Sequence, residues 1–158
     1  MRAPTPLQRE IRQSRPFPSV AQEGVVSVMR TAELLRRRGA AFLEPFGITV
    51  QQFNVLRILR GGGSGGLPTL EVGARMVEET PGITRLLDRL EAKGLVRRQR
   101  CPEDRRQHLC WITEEGLDLL RSLDRPIVTH SDEVMGGLSR KEQSDLIRLL
   151  DRVRAPLG

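Results

Sequence analysis

The segment Ile83-Thr84-Arg85-Leu86-Leu87-Asp88-Arg89-Leu90-Glu91-Ala92-Lys93-Gly94-Leu95-Val96, followed by Asp104-Arg105-Arg106 and then Trp111-Ile112-Thr113, decides the fold of this chain. Ile83, Leu86, Leu87 and Leu90 recur at helical spacing and form one apolar stripe, so Arg85, Asp88, Arg89 and Ala92 face outward. Gly94 stops the helix. Leu95 to about Arg100 and His108 to Ile112 read as two short strands separated by an Arg-rich tip. One basic surface helix beside one charged hairpin is the outline of a winged helix-turn-helix, which puts the helix in a major groove and the tip next to it. Double-stranded DNA is the expected partner.

Charge agrees with that outline. The chain has 158 residues and a formal net charge of +6, which suits a polyanion but argues partner class, not fold. Between Arg85 and Arg106, eight basic side chains face four acidic ones, so 22 residues carry +4 of the total. Only Lys93 and Lys141 are lysines. A compositional preference for arginine explains that choice but not the clustering. With four Phe, one Trp and no Tyr, the core must be aliphatic. No apolar run reaches the length of about 18 residues expected of a membrane span. The first residues lack the apolar centre of a signal peptide, and two cysteines make no disulfide framework, in keeping with a cytoplasmic protein.

The length suits one compact subunit with a dimerising extension. Residues 1–18 carry Pro4, Pro6, Pro16 and Pro18 among Arg2, Arg9, Arg12 and Arg15, and read as a flexible basic arm. A helix is expected from about Ala21 to Leu43, weakened in its last turn by Gly39. Thr49-Val50-Gln51-Gln52 is a capping box, with Ile48 stapled against Phe53, and the helix it opens stops at Gly61. Gly61 to Gly66 (with Ser64 among them) is a linker and not a phosphate cradle, because no Gly-Lys-Ser/Thr follows and no strand leads in. A short helix from Thr69 to about Met76 comes next. Pro81 suits the first position of the basic helix, with Thr80 as its cap. Thr113 caps a longer helix that Pro126 should bend, and Ser139-Arg140-Lys141-Glu142 opens the last one.

With its elements in that order, the chain resembles the MarR family of winged helix-turn-helix transcriptional regulators, from about Gly47 to Leu120. The resemblance rests on Ile48 to Leu56, Thr84-Arg85 with Asp88-Arg89-Leu90-Glu91, Lys93-Gly94-Leu95-Val96, Asp104-Arg105-Arg106, and Ile112-Thr113 with Gly116. It implies a mainly α fold with a small β-hairpin wing. The winged helix-turn-helix would occupy 47–113, and a helical dimerisation region 19–46 and 114–158. It also implies a homodimer, a palindromic operator and a small-molecule or redox signal that releases DNA, with the protein acting as a repressor. A twofold dimer predicts half-sites about 10 base pairs apart. The first and last helices keep apolar faces that association would bury.

The candidate DNA contacts are Thr80, Thr84, Arg85, Arg89, Arg97, Arg98, Asp104, Arg105 and Arg106. Arginine forks onto guanine O6 and N7, which suits Arg85 and then Arg89, and Thr84 reaches a phosphate or base edge. The opposing reading is a solvated face with Arg85 paired to Asp88. Arg106 resembles the wing arginine of the family, braced by Asp104, and a guanidinium there reads the shape of a narrow minor groove. Arg97, Arg98 and Arg100 are phosphate neighbours, although alternating strand faces exclude some of them. Cys101 and Cys110 flank the tip. Facing each other across the hairpin, they would make a redox switch, and otherwise they are inert small residues. With His108 they offer three metal ligands and no fourth, so no metal or other cofactor is expected.

Three positions depart from the family pattern. Glu78 and Glu79 would repel nearby phosphates, Pro81-Gly82 leaves two groove-facing positions without a polar side chain, and Gly73 stands where a larger residue is usual. An effector pocket belongs between the dimerising helices and the winged helix, where Arg36, Arg37 and Arg38 would face a carboxylate. A winged-helix module for protein contacts is the remaining alternative. No nucleophile–base pair or carboxylate constellation supports an enzyme.

Overall fold

In the computed structural model, which describes residues 3–79, 81–102 and 107–158, the chain begins with a helix where an open arm was expected. Thr5 caps α1 (Pro6–Glu10) in a complete capping box with Gln8, and Pro6 occupies the first turn. Gln8 is buried and donates to the Arg15 carbonyl at 3.0 Å, while Glu10 pairs with Arg30 of the next helix at 2.7 Å. The cap in Thr5-Pro6-Leu7-Gln8 prevails locally over the surrounding proline and arginine content.

Ser19 caps α2 (Val20–Leu43), which passes through a short 3-10 turn, Glu44–Phe46, to Gly47 in the left-handed region. The Thr49 box opens α3 (Val50–Arg60) as expected, and Gln52 also accepts from Lys93 Nζ at 3.2 Å. That contact ties the start of α3 to the end of the basic helix. A two-residue strand, β1 (Leu67–Pro68), follows the glycine loop and leads into α4 (Thr69–Ala74). It is too short for any periodicity to show in sequence.

The basic helix, α5, runs Ile83–Ala92. It does not start at Pro81: Gly82 sits at φ +88°, and a left-handed residue there breaks the helical path, so the first turn forms after it. Thr80, expected as the cap, lies outside the described residues. At the far end, Leu95 N–H donates to the Leu90 carbonyl and Gly94 N–H to the Glu91 carbonyl, a Schellman stop. Strands β2 (Val96–Arg100) and β3 (His108–Ile112) pair antiparallel, and β1 joins the free edge of β3, giving the order β1-β3-β2. Thr113 then caps α6 (Glu114–Met135), which continues through Pro126, and Ser139 caps α7 (Arg140–Arg154).

The core lies inside the winged helix. Val55, Leu56 and Leu59 of α3 meet Val72, Leu87, Leu90, Val96 and Cys110, and Leu120 and Leu123 of α6 close it with Leu43 of α2. Outside that core the two long helices keep Val25, Val28, Met29, Leu35 and Val128 exposed, and α7 buries none of its side chains. Among the described residues, no helix is long and apolar enough to cross a membrane.

Candidate nucleic-acid interface

α5 is anchored by Leu87 and Leu90, both fully buried, with Ile83 and Leu86 packed at the edge of the core. The helical period then leaves Thr84, Arg85, Asp88 and Arg89 on the exposed side. Arg85 and Arg89 are one turn apart, and neither forms an ion pair among the described residues. The Arg85–Asp88 pairing weighed as an alternative is absent, because Asp88 pairs with Arg98 instead. A helix with two uncommitted guanidiniums on its outer face can present forked donors to guanine edges or phosphates.

The wing root behaves differently from its charge count. Arg97 and Arg98 leave opposite faces of β2, as neighbours on a strand must. Arg97 lies over the Trp111 ring, its guanidinium carbon 4.1 Å from the centroid, and the register places the two residues directly across from each other. The same indole donates to the Ser64 carbonyl at 3.0 Å, so Trp111 joins the wing root to the glycine loop. On the other face Arg98 reaches back to α5. Its Nε donates to Glu91 Oε2 at 3.0 Å, its Nη2 bonds both Glu91 and Asp88, and its backbone N–H donates to Glu91 Oε1 at 3.1 Å. Burial opposes the charge of Arg98, but the two carboxylates outweigh it and hold the guanidinium pKa above its ordinary value.

Lys93 is likewise committed, to the Gly47 carbonyl and Gln52. Of the expected basic cluster, Arg85, Arg89 and Arg100 therefore remain uncommitted among the described residues. Asp104, Arg105 and Arg106, the expected tip contacts, lie outside the described residues, as does Thr80. Sequence reading missed Asp88 and Glu91 as a unit. Their i, i+3 spacing places them on one edge of α5, but only the hairpin brings Arg98 to that edge.

The two cysteines do not face each other. Cys110 is opposite Arg98, while Cys101 donates its backbone N–H to the Gln107 carbonyl, further toward the tip. Cys110 is fully buried 3.5 Å from the Thr69 hydroxyl, and burial pushes its thiol pKa up despite that hydroxyl and Arg98. A raised pKa means less thiolate, the opposite of a reactive sensor.

Two of the hollows beside the long helices bear on function. A cleft of about 660 Å³ between α2 and the start of α3 is lined by Arg36, Ala40, Glu44, Ile48, Thr49 and Gln51 among others. Arg36 on its rim is paired with Glu33 and, at 3.4 Å, with Glu78 just ahead of α5, while Arg37 pairs with Glu33 alone. The second hollow, about 510 Å³, is an apolar groove between α2 and the α6–α7 corner, lined by Val28, Leu35, Met135, Leu138, Leu146 and Leu150 among others. Nearby, His130 of α6 stacks on Phe42 of α2 with centroids 4.4 Å apart.

Known proteins share this architecture. The model of the MarR family matches residues 46–107, the winged helix up to the start of β3. A MarR transcription factor of known structure from Planctomyces limnophilus is 36% identical, with 86% of this chain and 98% of that one covered and a TM-score of 0.67. Two Streptomyces coelicolor structures share the fold. Sco3205, a MarR family regulator solved in complex with DNA, is 23% identical over 90% of this chain and 94% of that one, with a TM-score of 0.78. The PcaV transcriptional regulator, solved with its natural ligand, is 24% identical over 91% and 100%, with a TM-score of 0.71. A family model on the winged helix and a 36%-identical relative matched over nearly its full length agree with the geometry: the chain belongs to the MarR family and is a transcriptional regulator, not an enzyme.

Proposed function

We propose that the chain works as a homodimeric repressor that grips a palindromic operator and lets go when a small molecule binds. The observation that carries this reading is the outer face of α5, where Thr84, Arg85 and Arg89 stand exposed and Arg85 and Arg89 have no ion pair among the described residues, while Leu87 and Leu90 on the opposite face are fully buried. Arg85 and Arg89 read bases or phosphates in the major groove, and Thr84 assists. Arg106, with Asp104 and Arg105, takes the minor groove beside it, as the family resemblance implies.

Dimerisation is supported by the apolar faces of α2 and α7, including Val25, Met29, Ile147, Leu149 and Val153, which a single subunit leaves in water. A second copy related by twofold symmetry covers both faces and spaces two α5 helices for adjacent major-groove turns. Effector release is supported by the cleft between α2 and α3, since a ligand there touches both the dimerising helix and the winged helix. The DNA-bound and ligand-bound relatives make both halves of the cycle reasonable for this fold.

The test is binding to a short duplex from upstream of the protein's own coding region, across a salt series, with Arg106→Ala beside wild type. Tight binding with a steep salt slope, weakened in the variant, is expected. Weak binding indistinguishable from that to random DNA overturns the reading and favours a protein-interaction module.

A further inference from the structure

We propose that Arg98 is a positioning residue that locks the recognition helix to the wing and takes no part in phosphate contact. The assignment rests on the DNA-binding reading of α5. Its basis is a chelate with three donors from one residue: the Arg98 N–H, Nε and Nη2 all meet Glu91, at 3.1, 3.0 and 2.7 Å, and Nη2 also meets Asp88. The Arg98 side chain is 16% exposed, against 53% for Asp88 and 40% for Glu91, so the guanidinium sits beneath its two acids. A cation in that place is spent on its carboxylates before any phosphate arrives.

Two consequences follow from the geometry. The backbone N–H contact makes the bond depend on the path of β2 itself, so the root of the hairpin and one edge of α5 move as one body. Reading a site in two grooves needs a fixed offset between helix and tip, and among the described residues Arg98 joins the polar edge of α5 to the root of the hairpin. The second consequence is electrostatic. Asp88 shares the outer side of α5 with Arg85 and Arg89, and an unneutralised carboxylate there would repel the DNA backbone. Arg98 removes that repulsion without adding a contact.

The experiment compares wild type, Arg98→Gln and the double variant Asp88→Asn/Glu91→Gln on two duplexes. One is selected from a random pool by wild type, and the other is a scrambled control. Affinities are taken across a salt series at a temperature where circular dichroism shows each protein folded. For Arg98→Gln, we expect both duplexes to bind more weakly, because Asp88 and Glu91 lose their counter-charge, and discrimination between the duplexes to fall about tenfold. The double variant, having shed two negative charges, should bind the scrambled duplex more tightly than wild type and still lose discrimination. A merely structural role would move neither the slope nor the ratio at that temperature.

A slope lower by about one, with both duplexes weakened alike, makes Arg98 a phosphate contact and overturns the assignment. Full discrimination in the double variant overturns it as well, and decides the matter should Arg98→Gln fail to fold. If wild type itself binds the two duplexes equally, the DNA-recognition reading falls, and this assignment with it.

Discussion

Arg85 and Arg97 show how little a residue type says until its surroundings are known. Both are exposed arginines within one short basic stretch. Arg85 projects from α5 with no ion pair among the described residues, whereas Arg97 lies against the Trp111 ring. Arg85→Ala should weaken binding to a selected duplex by about 1–3 kcal/mol and relax base preference at one position. Arg97→Ala should change affinity far less and instead shift the fluorescence of the sole tryptophan, so one titration with both variants checks both expectations. At Gly116 the constraint is steric, since a β-carbon there would lie 2.5 Å from the Leu95 carbonyl oxygen and 2.7 Å from an Ile112 side-chain carbon. Gly116→Ala should cost about 1–3 kcal/mol by overpacking, read as a lower midpoint in urea unfolding. An unchanged midpoint would mean that α6 can shift away from the wing without penalty.

At the scale of elements, the helix starts carry much of the local specification. Thr49 and Gln52 exchange hydrogen bonds at the head of α3, and Gln52 is also bonded by Lys93. Thr49→Ala removes a cap and should lower stability by about 1 kcal/mol. The box at the head of α7 has a pH signature. The Ser139 hydroxyl and backbone N–H hold the Glu142 carboxyl below its ordinary value of 4.5. A depressed acid contributes stability that is present above its unfolded value and lost as pH falls through the folded one. Helicity of α7 should therefore begin to drop as pH goes below about 4.5, and Glu142→Gln should flatten that part of the acid titration. The sensitive stretch is α7 because none of its side chains is buried in the single chain.

For the whole molecule, the division between a packed winged helix and two bare helical faces is the dominant feature. Val28 is 44% exposed and Ile147 59%, so acidic replacements cost little within one subunit but place charges in any interface built on those faces. Val28→Asp/Ile147→Asp should sediment as a monomer that keeps its helical content and loses tight operator binding. A dimer of unchanged mass would move the interface elsewhere. Sequence periodicity and caps determined most of the fold: the stripe of α5, the Thr49, Thr113 and Ser139 caps, the Gly94 stop and the two short strands of the hairpin were all readable. These signals are local, set by backbone hydrogen bonds and side-chain spacing within a few residues. The ordered α1 was legible too, in the Thr5-Pro6-Leu7-Gln8 cap, but composition hid it. The tertiary structure alone decided which charges are free. It paired Arg98 with Asp88 and Glu91, laid Arg97 on Trp111, tied Lys93 to the head of α3, separated Cys101 from Cys110 and added β1 to the sheet. Each of these depends on where strands and helices meet in space, and a charge takes its role from the partner that folding brings within reach.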